Sequence, residues 1–303
     1  MRLDQTADNG GTFTGSYTVP NSNTGRFTLT FNPGGSSVTF AAYTIDANRM
    51  FMLETAGDSG LMAGDMRKQQ QSANTAAALL NGSSVLYSQR FDGNSSGIVT
   101  GYGSSVYQAS STGNGTMTVN ASYDDDEGTY KTGNENGAGV AITLDSTNPG
   151  RATFAPGGSD SAFLYFFNAG SAFYLDLNGS NHNLQTGWLE AQTQTQPNFT
   201  NAALAGDYLL GKLPSVGSDH NDATGEFDLL SNGSISGGVT TGGEGDFTWD
   251  QAMSGAYSWA STTYGTLTTG TGDKDLSCAV ISSTKVICIT NGSSSGEMMI
   301  LQQ

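Results

Sequence analysis

Apolar residues in this chain occur in short runs mixed with β-branched residues. Gly, Asn and Ser interrupt them every few positions, as around Phe27-Thr28-Leu29-Thr30-Phe31 and Val38-Thr39-Phe40. Runs of this length between turn-forming clusters predict short β-strands joined by tight turns. Asn-Gly pairs at Asn81-Gly82, Asn114-Gly115, Asn178-Gly179, Asn232-Gly233 and Asn291-Gly292 mark turns directly, because both residue types tolerate positive φ. No stretch of about 18 apolar residues occurs, so no helix is expected to span a bilayer.

The strand pattern repeats. Gly25-Arg26-Phe27-Thr28, Gly150-Arg151-Ala152-Thr153 and Gly265-Thr266-Leu267-Thr268 each precede an apolar hairpin, and each hairpin leads to a Gly-containing strand that ends in Gln. The hairpin turns correspond at Asp46–Arg49, Asn168–Ser171 and Ser282–Lys285. Unit openings also match, Ala78-Leu79-Leu80-Asn81-Gly82 with Ala203-Leu204-Ala205-Gly206-Asp207. A repeat at this long spacing predicts tandem domains rather than a solenoid. The expected division is an incomplete first β unit over 1–70, a second over 71–195 and a third over 196–303. The first unit starts at a position equivalent to the middle of the others. Gln192 to Pro197 reads as a polar, exposed linker. A full unit of about 110–125 residues can remove its strand edges by closing on itself. The expected fold class is therefore all-β, as tandem antiparallel up-and-down barrels, with β-sandwiches as the alternative.

The opening Leu204-Ala205-Gly206-Asp207-Tyr208, followed by the hairpin Gly225 to Gly237, resembles the start of lipocalin- and avidin-like barrels. The units also resemble tandem β-repeats of secreted bacterial proteins. The resemblance implies barrels of that kind, whose mouth takes a small apolar ligand or a glycan. This chain departs from the pattern with Tyr208 in place of Trp and with Ser83 and Ser84, and no ligand residues are carried over.

Composition narrows the partners. The net charge is −16, with 11 Lys and Arg against 27 Asp and Glu. That balance disfavours nucleic acid, whose binding needs a cationic face. It disfavours anionic membrane surfaces for the same reason. The chain has 42 Gly, a number that would suit disorder, but 14 Phe, 12 Tyr and 3 Trp supply a core. Cys278 and Cys288 stand symmetrically about a hairpin turn near Ser283 and are expected to face each other across it, within reach of a disulfide. A disulfide would place the protein in an oxidising compartment. The expected location is extracellular or at a bacterial cell surface, with any signal peptide outside this chain.

Candidate chemistry is sparse. Asp124-Asp125-Asp126-Glu127 is the densest acidic run, and its oxygens would suit calcium if the run were a loop. No other cofactor is expected. Glu226 and Asp228 alternate with apolar neighbours and should share one strand face, either as a solvated face or as a carboxylate pair for glycoside hydrolysis. His182 and His220 sit in polar surroundings and read as loop residues. Asp58-Ser59-Gly60 has no second copy to form a carboxylate pair. Tyr165, Phe166, Phe167, Phe173 and Tyr174 read as core rather than as a sugar platform.

The sequence therefore points first to a non-enzymatic structural or adhesive repeat protein. Its incomplete first unit is expected to be completed by self-association, which would make a fibre-forming subunit. A barrel binding a small apolar ligand or a glycan is the alternative, and a carboxylate-dependent hydrolase the second alternative.

Overall fold

A computed structural model describes residues 14–32, 37–56, 63–70, 74–94, 99–126, 128–133, 135–154, 162–178, 183–212, 222–242, 247–270, 275–291 and 297–303. Asp58, His182, His220 and Glu127 lie outside them. The chain divides into two compact units, Thr6–Gln70 and essentially the remainder.

The smaller unit is an open antiparallel meander of β1 (Thr14–Tyr17), β2 (Arg26–Asn32), β3 (Val38–Asp46), β4 (Arg49–Ala56) and β5 (Ala63–Arg67). Phe27, Ala42 and Met52 occupy cross-strand positions on one face, where Phe27 and Ala42 are buried. The apolar residues of this unit do not form a single face, however. Tyr43 pairs with Phe51 on the opposite side, because successive strand residues alternate.

The larger unit contains two closed barrels. The second repeat comprises α1 (Ala76–Leu79), β6 (Asn81–Gly93), β7 (Val99–Thr112), β8 (Thr116–Asp126), β9 (Thr129–Thr132), β10 (Gly139–Leu144), β11 (Arg151–Phe154), β12 (Ala162–Asn168), β13 (Ser171–Asn178) and β14 (Asn183–Ala191). β14 pairs with β6 and β8 with β10, which closes the ring, while β9 continues from β8 as a flap. The third repeat comprises α2 (Asn201–Leu204), β15 (Gly206–Lys212), β16 (Asp222–Leu229), β17 (Ser234–Gly242), β18 (Phe247–Ser261), β19 (Thr266–Gly270), β20 (Asp275–Ser282), β21 (Lys285–Thr290) and β22 (Met298–Gln302). It closes through β15 and β22. Both repeats are barrels, not sandwiches.

Local chemistry explains the repeated plan. Gly25, Gly150 and Gly265 have φ of 64°, 85° and 69°, a region that glycine enters at little cost. Each turns its carbonyl to accept from the amide of the next strand, at Thr44, Phe166 and Val280. The side chains of Thr75 and Thr200 cap the two short helices by accepting from the amides of Ala78 and Ala203. Those helices carry Leu79 and Leu204, both fully buried, into the two barrel cores. Cys278 and Cys288 are cross-strand partners on β20 and β21 and form a disulfide inside the third barrel.

The two barrels pack wall to wall. Ala279, Ile281, Ile287, Ile289 and Met298 of the third meet Val85, Tyr87, Val106 and Tyr123 of the second. Full burial of each large apolar side chain in such a contact stabilises it by roughly 1.5–3 kcal/mol. Lys285 Nζ lies 2.5 Å from Glu190 Oε1 and also sits over the Tyr87 ring. The expected exposed linker is held at its start by the same contact. Gln192 is buried and donates to the carbonyls of Tyr264 and Val280, and the Thr193 amide donates to Ile281.

Candidate functional site

The interior of the second barrel encloses a cavity of about 270 Å³. One side of it is apolar, formed by Leu86, Ala109, Met117, Val119, Val140 and Phe154. The other side is polar, formed by Tyr107, Tyr174, Asp176 and Gln185, with the exposed Glu135 at the rim.

Strand register explains the room inside this barrel. Ala109 pairs with Ser84 on β6–β7, whereas Phe227 pairs with Tyr208 at the matching place in the third barrel. Tyr208 and Phe227 are fully buried and fill the third core. Tyr174 stands where the third barrel has Cys288, by the offset of their hairpin turns. At these inward positions the second barrel therefore carries smaller side chains than the third.

The polar side is an ordered network. The Tyr107 hydroxyl donates to Asp124 Oδ1 at 2.5 Å. Gln185 Nε2 donates to Ser88 Oγ at 2.7 Å, and the Tyr174 hydroxyl lies 3.4 Å from both Asp176 Oδ2 and Gln185 Oε1. Burial raises the pKa of Asp124 above the usual carboxylate value, against the opposing hydrogen bonds from Tyr107 and Ser105. Burial, and then the charge of Asp124, pushes the Tyr107 phenol well above its ordinary value. Burial and Asp176 do the same to Tyr174. No lysine or arginine occurs among the described lining residues.

The described members of the acidic run do not converge on one point. Asp124, Asp125 and Asp126 lie on strand β8, not in a loop, so consecutive side chains alternate between the faces. Asp124 bonds Tyr107, Asp125 accepts from the Gly128 amide at 3.1 Å, and Asp126 pairs with Arg90 and Lys131. Burial opposes the charge of Asp126, but Arg90 and Lys131 outweigh it and hold the carboxyl below its ordinary pKa.

Glu226 and Asp228 do share a face, and Asp207 on β15 joins them. One oxygen from each lies within 4.8 Å of the others. They stand on the outer wall of the third barrel, and Asp207 and Glu226 are exposed. Of the aromatic group in the β12–β13 hairpin, Phe166 and Tyr174 are core, as expected. Tyr165, Phe167 and Phe173 instead face outward, alternating with them. The sequence reading missed Tyr107, Asp176 and Gln185. The available signal was the contrast between Ser84 and Ala109 in one repeat and Tyr208 and Phe227 in the next.

No family model and no curated protein matches this chain. Among solved structures, it is similar to a protein of unknown function from the DUF3598 family of Nostoc punctiforme. The identity is 12%, the match covers 77% of this chain and 100% of that one, and the TM-score is 0.22.

Proposed function

We propose that this is an exported, non-enzymatic binding protein whose second barrel takes a small ligand with an apolar body and a hydrogen-bond-donating head. The observation that carries the reading is the two-sided cavity. Ligand sites are concave and mostly apolar, with a few polar groups that fix orientation. Here the fixing groups are rich in acceptors. Ionised carboxylates accept only, and no cationic side chain among the described lining residues neutralises them. An amine or a polyol end suits this wall better than an anion does. The volume, about 270 Å³, lies just below the roughly 300–1,000 Å³ of drug-sized sites, so the ligand is small. The lipocalin- and avidin-like resemblance of the repeat supports this use of a barrel interior. The Cys278–Cys288 disulfide supports an oxidising compartment.

Benzylamine is a suitable probe, since an apolar cavity of about 150 Å³ accepts benzene in another protein. Its binding, followed at the cavity-lining Met117 methyl and compared with an Ala109→Phe variant, tests the reading.

A further inference from the structure

The outer wall of the β12–β13 hairpin matches the surface with which the third barrel docks. Aligned on their turns, the three hairpins place Tyr43, Tyr165 and Ala279 at one position. The next three positions hold Ile45, Phe167 and Ile281; Phe51, Phe173 and Ile287; and Leu53, Leu175 and Ile289. The ladders agree, since Tyr43 pairs with Phe51, Tyr165 with Phe173 and Ala279 with Ile287. All four positions are therefore apolar in every repeat.

In the third barrel the four are buried against the β6–β8 wall of the second. In the second barrel they are less covered. Tyr165 is 44% exposed, and Phe167, Phe173 and Leu175 are half-buried. Arg151 lies over the neighbouring Phe163 ring at 4.5 Å. The chain thus shows what this kind of surface recognises, namely the outer wall formed by the first three strands of another barrel.

We propose that the β12–β13 face of one copy seats on the β15–β17 wall of a second copy and continues the barrel stack. Shape supports this occupant. In the established contact, small hairpin residues, Ala279 and Ile287, meet a bulky wall row, Tyr87, Val106 and Tyr123. The ladders put Gly211, Thr224 and Thr240 at the equivalent row of the third barrel. That smaller row matches the larger Tyr165 and Phe173. Leu209 holds the place of Val85, paired with Gln302 as Val85 is with Glu190, and it is 71% exposed. Charge supports it too. The established contact joins Lys285 of the hairpin to Glu190 of the receiving barrel. The new one brings Arg151, which pairs with Asp145 at 3.4 Å within its own barrel, to the wall that bears Asp207, Glu226 and Asp228. The contact is heterologous and leaves a free face at each end, so copies add head to tail.

Sedimentation of the full chain over a concentration series tests this. The weight-average mass is expected to rise with concentration. Tyr165→Lys on the hairpin and Leu209→Lys on the wall should each weaken association by about tenfold or more. Tyr43, Ile45, Phe51 and Leu53 of the first unit are exposed at the same four positions, so both variants also carry Tyr43→Lys, and an equal mixture of the two should then give dimers and nothing larger, because each keeps one working face. Circular dichroism checks that both variants fold, and Arg151→Glu, restored by Glu226→Lys, provides a second route. A chain that stays monomeric at every concentration overturns the proposal. Association that Leu209→Lys leaves unchanged overturns the assigned occupant.

Discussion

Reducing the Cys278–Cys288 disulfide isolates one contribution to stability. Both cysteines are fully buried and lie 10 residues apart. Reduction leaves two thiols in the same core, so side-chain packing is nearly unchanged and the main loss is the restraint on the unfolded chain. For a loop of this length the entropy relation gives about 2.7 kcal/mol at 25 °C. In a unit the size of the two barrels each kcal/mol moves the melting temperature by roughly 2–4 °C, so a fall of roughly 5–11 °C is expected. Urea unfolding of oxidised protein and of protein unfolded, reduced and refolded in reductant measures the difference. Alkylation of the native and of the unfolded protein without reductant should label no thiol. Two labelled thiols in the unreduced, unfolded protein would refute the bond. Equal midpoints for the two forms would refute the chain-entropy account.

Burial raises the folded-state pKa of Asp124, so this group binds its proton more tightly in the folded than in the unfolded protein. Its contribution to stability therefore falls as pH rises from the unfolded carboxylate value through the folded one, the opposite sign to Asp126, whose pKa is lowered. Asp124→Asn keeps an acceptor for Tyr107, and the difference in unfolding free energy between variant and parent should shift in favour of the variant as pH rises through that window. Thermal unfolding at several pH values reads it, and a flat difference would contradict the assignment. Leu79→Ala removes a fully buried side chain beneath the barrel and should destabilise by roughly 2–5 kcal/mol. Denaturant titration measures this, and a loss below about 1 kcal/mol would mean that Leu79 is not part of the barrel core.

Much of the fold was legible because turn chemistry and repetition are local signals. The strands at Phe27 to Phe31 and Val38 to Phe40, the two full repeats and the cysteine hairpin all follow from runs bounded by Gly and Asn. The facing of the β12–β13 hairpin did not follow. Phe163 to Phe167 is apolar at every position, so alternation gives no clue to which side is core. Both sides are apolar, one packing the barrel core and the other facing outward. The linker looked exposed because Gln192 is polar, yet it satisfies buried carbonyls between two barrels. The acidic run suited a loop, but β8 runs through it with separate partners for Asp124, Asp125 and Asp126. The cavity depends on volumes summed across the ring, where Ser84 and Ala109 meet. No single segment carries that information.

Methyl NMR on methionine-labelled protein titrated with benzylamine reads out a ligand site inside the second barrel. Met117 lines the cavity and is itself buried. A saturable shift of its methyl signal is expected, weaker for toluene, which lacks the donor, and abolished in the Ala109→Phe variant. A Met117 signal unmoved by benzylamine, or one that moves equally in the Ala109→Phe variant, would contradict it.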